Sequence, residues 1–96
     1  MTTPKNEVKL QCKHIFDPPS LTACVADIKY MLSKGEDFAI NFENVEFIGS
    51  PFIGSLVMVA NQAKKAGVVI QAINVSSYVY DILDKTAITK VIEVVK

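Results

Sequence analysis

The chain has 96 residues, 50% of them apolar and 21% charged, the balance of one small globular domain rather than a disordered segment. Its 10 basic and 10 acidic side chains cancel, so no basic field draws in DNA or RNA and nucleic-acid binding is disfavoured. No apolar run is long enough to span a bilayer, and none follows Met1-Thr2-Thr3-Pro4-Lys5, so neither membrane insertion nor a signal peptide is expected and the expected compartment is the cytoplasm.

Residues 1–6 are polar and expected to fray. Val8, Leu10 and Cys12 alternate with Lys9, Gln11 and Lys13, which predicts a half-buried strand running to Ile15-Phe16. Asp17-Pro18-Pro19-Ser20 is expected to break it as a loop, because proline cannot continue a strand ladder. A first helix is predicted from Leu21 to Ser33. Leu21, Cys24, Val25, Ile28, Met31 and Leu32 share one face of it, and Gly35 stops it. Phe38 to Phe42 reads as a second strand, with Val45-Glu46-Phe47 continuing it or lying along the sheet edge.

A second helix is predicted from Pro51 to Ala66, with Ser50 as N-cap, Gly67 as the C′ residue and Lys64 and Lys65 suiting the dipole of the last turn. Ile53, Leu56, Val57, Ala60 and Ala63 form its expected apolar face, which leaves Phe52, Val59 and Met58 surplus. Gly54 suggests a close backbone approach. Val68 to Ile73 is apolar enough for a central strand. Ser76 or Ser77 should cap a short third helix, flanked by Tyr78 and Tyr80, with Val79, Ile82 and Leu83 inward. A helical turn at residues 86–90 and an edge strand at residues 91–95 complete the order. Strands and helices therefore alternate, and connections of this length imply parallel crossovers.

Enzyme signatures are missing: no phosphate-binding glycine loop and no nucleophile elbow occurs. His14 is the single histidine, and Cys12 and Cys24 are too far from any Cys-x-x-Cys pattern to suggest zinc, so no metal or cofactor is expected and the cysteines read as free thiols. The acidic side chains read as solvated surface. Ser50 carries two readings. One is a plain helix cap. The other is a phosphate acceptor at the positive end of a helix.

The segment Phe47-Ile48-Gly49-Ser50-Pro51-Phe52-Ile53-Gly54 resembles the STAS domain of the anti-sigma factor antagonist (anti-anti-sigma) family. That family typically carries Phe-Ile-Asp-Ser-Ser-Gly-Leu-Gly between a strand and a helix. Phe47, Ile48, Ser50, the aliphatic Ile53 and Gly54 match. Gly49 stands for the family's Asp, Pro51 for its second Ser and Phe52 for its first Gly. The likeness continues through Lys65-Ala66-Gly67 and the terminal Ile92-Glu93-Val94-Val95.

The resemblance implies a single α/β domain over residues 1–96: a mixed four-stranded sheet with about four helices packed mainly on one face. It implies a non-enzymatic module that binds a serine-protein kinase acting as anti-sigma factor and is released by phosphorylation of Ser50. A phosphatase is a candidate further partner. The partner-binding residues expected with it are Asp17, Ser20, Gly49, Ser50, Pro51, Phe52, Gly54 and Met58; Phe52, with Met58 beside it, reads either as an exposed apolar anchor or, for Phe52, as ordinary core packing. Two other readings stand beside it: an unphosphorylated subunit of a transport or signalling assembly, and a small anion- or nucleotide-binding domain.

Overall fold

The computed structural model describes residues 6–95. Four short strands, β1 (Asn6–Lys9), β3 (Phe38–Asn41), β5 (Ile70–Ile73) and β6 (Glu93–Val94), form one sheet in the order β1-β3-β5-β6, every pair parallel. Two further strands, β2 (His14–Ile15) and β4 (Phe47–Ile48), pair with each other as a separate parallel ribbon. Helices α1 (Pro18–Ser33), α2 (Ser50–Ala66) and α3 (Ser77–Lys85) connect them, and a 3₁₀ turn (Ile88–Lys90) precedes β6. The expected frayed start lies outside the described residues apart from Asn6, which opens β1.

The expected mixed sheet is corrected on this point: among the described residues all pairings are parallel, and there are three α-helices and one 3₁₀ turn rather than four helices. A helix intervenes between each neighbouring pair of the four-stranded sheet, so the chain returns to the same end before each new strand. The long first strand is also corrected. Its pairing with β3 stops at Lys9, and residues 10–13 cross to the ribbon, which leaves Cys12 outside any strand.

One face of the sheet is apolar. Phe38, Ile40, Ile70 and Ala72 share a single buried cluster with Cys24, Ile28 and Met31 of α1, Phe52, Leu56, Val59, Ala60 and Ala63 of α2, and Val79 and Leu83 of α3. All three helices therefore bury their inward residues on one side, as expected. Side chains alternate along a strand, so Glu7, Lys9, Asn41, Gln71 and Glu93 fall on the other face. That face is polar and internally bonded. Buried Asn41 donates through Nδ2 to Glu7 Oε2 at 3.1 Å, while its Oδ1 accepts from the Glu43 backbone at 2.9 Å and from Asn74 Nδ2 at 3.1 Å. The Gln71 side chain donates to Glu93 at 3.1 Å, and Lys9 pairs with Glu43 at 2.9 Å.

Helix α1 starts three residues earlier than expected. Asp17 is its N-cap: its carboxylate accepts from the Ser20 hydroxyl at 2.7 Å and, more weakly, from the Ser20 N–H at 3.5 Å. Pro18 and Pro19 then occupy the first helical positions, where a missing N–H costs nothing. The Ser20 hydroxyl is the main reason that the Asp17 carboxyl titrates below its ordinary 3.8. A lowered folded value means that the cap contributes fully above pH 3.8 and is lost as pH falls through the lowered value. Asp17→Ala should lower the melting temperature at neutral pH and flatten its fall on acidification below 3.8, whereas Asp17→Asn, also a capping residue, should retain most of the neutral-pH stability. Thermal melts across that pH range check both.

Helix α2 ends as expected. Gly67 has φ +74°, and the Val68 N–H reaches back to the Ala63 carbonyl at 2.8 Å. Ser76, rather than Ser77, caps α3 by accepting from the Val79 N–H at 3.2 Å.

Candidate functional site

The ribbon β2–β4 sets the geometry of the site. Each strand carries one inward isoleucine, Ile15 or Ile48, and both are fully buried. The alternation then turns His14, Phe16 and Phe47 outward. The ladder extends one residue past the ribbon, because the Gly49 N–H donates to the Ile15 carbonyl at 2.9 Å. Asp17 and Ser50 follow immediately on the two paired chains, so the amino ends of α1 and α2 lie side by side. That juxtaposition was expected.

Gly49, not Ser50, is the N-cap of α2. It has extended backbone angles, and its carbonyl accepts from the Phe52 and Ile53 N–H groups at 3.1 and 3.2 Å. Ser50 is the first helical residue and Pro51 the second. No side chain caps this end. The expected capping role of Ser50 is thus corrected: its hydroxyl is not spent on the helix and is exposed. A group carried on Ser50 sits within the first turn, where the helix dipole favours negative charge.

Ser50, Gly54 and Met58 recur every four residues and so share one helix face. All three are exposed, as is Pro51; Met58 is 55% accessible. A Cβ added at Gly54 meets no atom within 4 Å, so the close backbone approach expected there is not made among the described residues. Phe52 departs from this face. It is 0% accessible and packs edge-on to Phe42, with ring centroids 6.5 Å apart. Of the two readings of Phe52, core packing therefore holds and the exposed anchor is overturned. The helix turns it 100° per residue away from its neighbours, into the space under Phe42. Val59, which lies off the expected apolar face, is also buried. Asp17 and Ser20 are half-buried and bonded to each other, so the expected loop is instead the cap and first turn of α1.

Gly49 is shaped by packing. A Cβ built there would stand 2.8 Å from the Phe16 Cβ and 3.4 Å from its Cα. The backbone φ of −99° suits any residue, so glycine is needed for space and not for conformation.

An aromatic platform flanks the site and was missed as a unit. Phe16 and Phe47 meet edge-to-face at 5.7 Å, His14 lies 6.4 and 6.5 Å from them, and Tyr78 of α3 stacks on Phe47 at 6.0 Å. Phe16 is 53% accessible, Tyr78 51% and Phe47 37%. A surface hollow of about 550 Å³, lined by Val75, Ser77, Tyr78, Tyr80 and Asp81, adjoins the platform through Tyr78. The available signal was the pair of single inward isoleucines in His14-Ile15-Phe16 and Phe47-Ile48, each flanked by aromatic residues.

Among the described residues no group of three or more His, Cys, Asp or Glu side chains is placed to hold a metal ion, and no helix is long and apolar enough to cross a membrane. Neither a protein-family model nor a curated protein sequence matches the chain. A solved structure does: a protein from Thermotoga maritima, provisionally assigned as an anti-sigma factor antagonist, superposes with a TM-score of 0.74 at 14% identity. The match covers 97% of this chain and 81% of the Thermotoga chain. The chain therefore has the fold of that Thermotoga structure.

Proposed function

We propose that this chain is a regulatory binding module of the anti-sigma factor antagonist type, which docks a serine-protein kinase or anti-sigma factor and is switched by phosphorylation of Ser50. The carrying observation is the exposed Ser50 hydroxyl, free of any capping duty, at the open amino end of α2 and beside an exposed aromatic platform. The fold likeness to the Thermotoga protein provisionally assigned as an anti-sigma factor antagonist supports the same reading, as does the resemblance of residues 47–54 to the family segment.

The physics of the switch is local. Unmodified, the stripe Ser50–Gly54–Met58 and the rings of Phe16, Phe47 and Tyr78 offer an apolar, nearly uncharged patch. Exposed aromatics of this kind are favoured as binding hot spots because they bury much area at little entropic cost. A phosphate on Ser50 adds between one and two negative charges to that patch. The α2 amino end stabilises the modified form, while a partner surface fitted to a neutral patch must desolvate the charge without pairing it.

The test uses the cognate kinase with ATP, peptide mapping of the phosphate, and calorimetry of the complex before and after modification. One phosphate on Ser50 and a loss of binding of at least tenfold are expected, with Phe47→Ala weakening the unmodified complex by a similar factor. Phosphate confined to another residue, or binding unchanged by phosphorylated Ser50, refutes the switch.

A further inference from the structure

The hollow at the start of α3 borders the platform but is not part of the apolar patch. It holds about 550 Å³, within the range of about 300–1,000 Å³ that ligand sites occupy. Helix α3 builds most of its wall. Ser76 caps the helix and fixes its first turn, and Ser77 and Asp81 then stand one turn apart on the same face. Among the described residues that line the hollow, Asp81 alone is charged. Tyr78 remains 51% accessible although Phe47 stacks on it at 6.0 Å, so it belongs to both the hollow and the platform. Val75 packs against the core cluster and gives the hollow an apolar side.

These groups select a cation. An anion entering the hollow meets the Asp81 carboxylate. The amino end of α3 offers it little in return, because the Val79 N–H donates to the Ser76 hydroxyl and the Tyr80 N–H to the Ser76 carbonyl. Asp81 pairs with Lys85 at 3.1 Å, but the two side chains are 63% and 74% accessible, so the pair is weak and solvated. A carboxylate also has about four acceptor sites, enough for a second cation. Tyrosine rings attract a cation and stack well on a planar guanidinium, and an apolar side suits the methylene stem that carries it, which favours arginine over the compact charge of lysine.

We propose that the hollow is a recognition pocket for an arginine side chain presented by the protein that docks on the platform. The inference rests on the docking reading above and adds to it the one charged contact that the apolar patch lacks. The guanidinium donates to the Asp81 carboxylate and lies against Tyr78 and Tyr80, while neighbouring partner residues cover Phe47 and Phe16. Charge complementarity identifies the occupant, and the shared Tyr78 makes the hollow continuous with the platform. An apolar patch alone can be met in many orientations, whereas a charged contact at one edge of it fixes the register of the partner.

The experiment titrates the isotope-labelled full chain with N-acetyl-arginine amide and, separately, with N-acetyl-citrulline amide, its uncharged isostere, and follows the backbone amide signals. Arginine is expected to shift the signals of Ser77, Tyr78, Tyr80 and Asp81, with saturation in the millimolar range, and citrulline to leave them in place. Asp81→Asn should abolish the response while melting close to the wild type, because the Asp81 side chain is exposed and its ion pair weak. In a second arm, Asp81→Asn should weaken the complex with the cognate kinase by about tenfold and reduce its salt dependence. Equal shifts with arginine and citrulline, no shifts at all, or a kinase affinity that Phe47→Ala lowers and Asp81→Asn does not, would overturn the pocket and leave the platform standing. A kinase complex that neither variant weakens would overturn the docking reading and the pocket with it.

Discussion

Replacing Phe52 by alanine is expected to lower the melting temperature by on the order of 20 °C, with a loss of stability of about 3–5 kcal/mol. The ring is wholly enclosed, sits edge-on to Phe42 and belongs to the one cluster shared by the sheet and all three helices. Its removal leaves a cavity that rigid neighbours cannot fill. Domains of this kind are stable by only about 5–15 kcal/mol, so the loss is a large share of the total. A denaturant titration with an unchanged slope would report it cleanly. The contrast is Phe47→Ala, which removes a partly exposed ring from the platform and should change partner affinity far more than stability. A Phe52→Ala protein that melts like the wild type but fails to bind would return Phe52 to the interface and overturn the packing account.

Gly49→Ala carries the second large effect, about 1–3 kcal/mol of destabilisation through overpacking. A methyl at 2.8 Å from the Phe16 Cβ has no room, and both atoms sit directly on backbone. Relief requires the two chains to part, which stretches the 2.9 Å bond from the Gly49 N–H to the Ile15 carbonyl and moves the start of α2. Phe16→Gly removes the clashing atom, so the double variant Phe16→Gly/Gly49→Ala should recover much of the loss, and a double-mutant cycle should show coupling of the same order. Equal stability of Gly49→Ala and the wild type would refute the interlock. Gly49→Asp meets the same obstacle. The aspartate of the family pattern is thus incompatible with this placement of Phe16, and the two positions form one packing unit.

Local signals were legible because they are settled within a few residues. The helical period of residues 21–33 and 51–66, the apolar run ending at Ile73, the Ser76 cap and the left-handed Gly67 each depend on neighbours one turn away. Even here a cap could be read one residue out. Ser50-Pro51 and Gly49-Ser50 both offer a plausible helix start, and the pairing of Gly49 with Ile15 selects the second. Asp17-Pro18-Pro19 carries the same kind of start signal, an Asp cap before proline, but its prolines also read as a strand breaker.

What the sequence determined by itself was therefore the alternation of the main-sheet strands with the three helices, the serine at the head of the middle helix, and the STAS-type likeness around it. Tertiary structure alone decided three things. It split the expected first strand and set β2 against β4 as a separate ribbon, because the pairing of β1 with β3 ends at Lys9 and the chain then crosses to a new partner. It turned Phe52 inward, because the face a helix buries depends on which neighbour covers it, here Phe42, ten residues earlier and just past the end of β3. It also assembled the platform from residues as distant as Phe16 and Tyr78, since no local period can reveal which exposed rings a remote strand pairing will bring together.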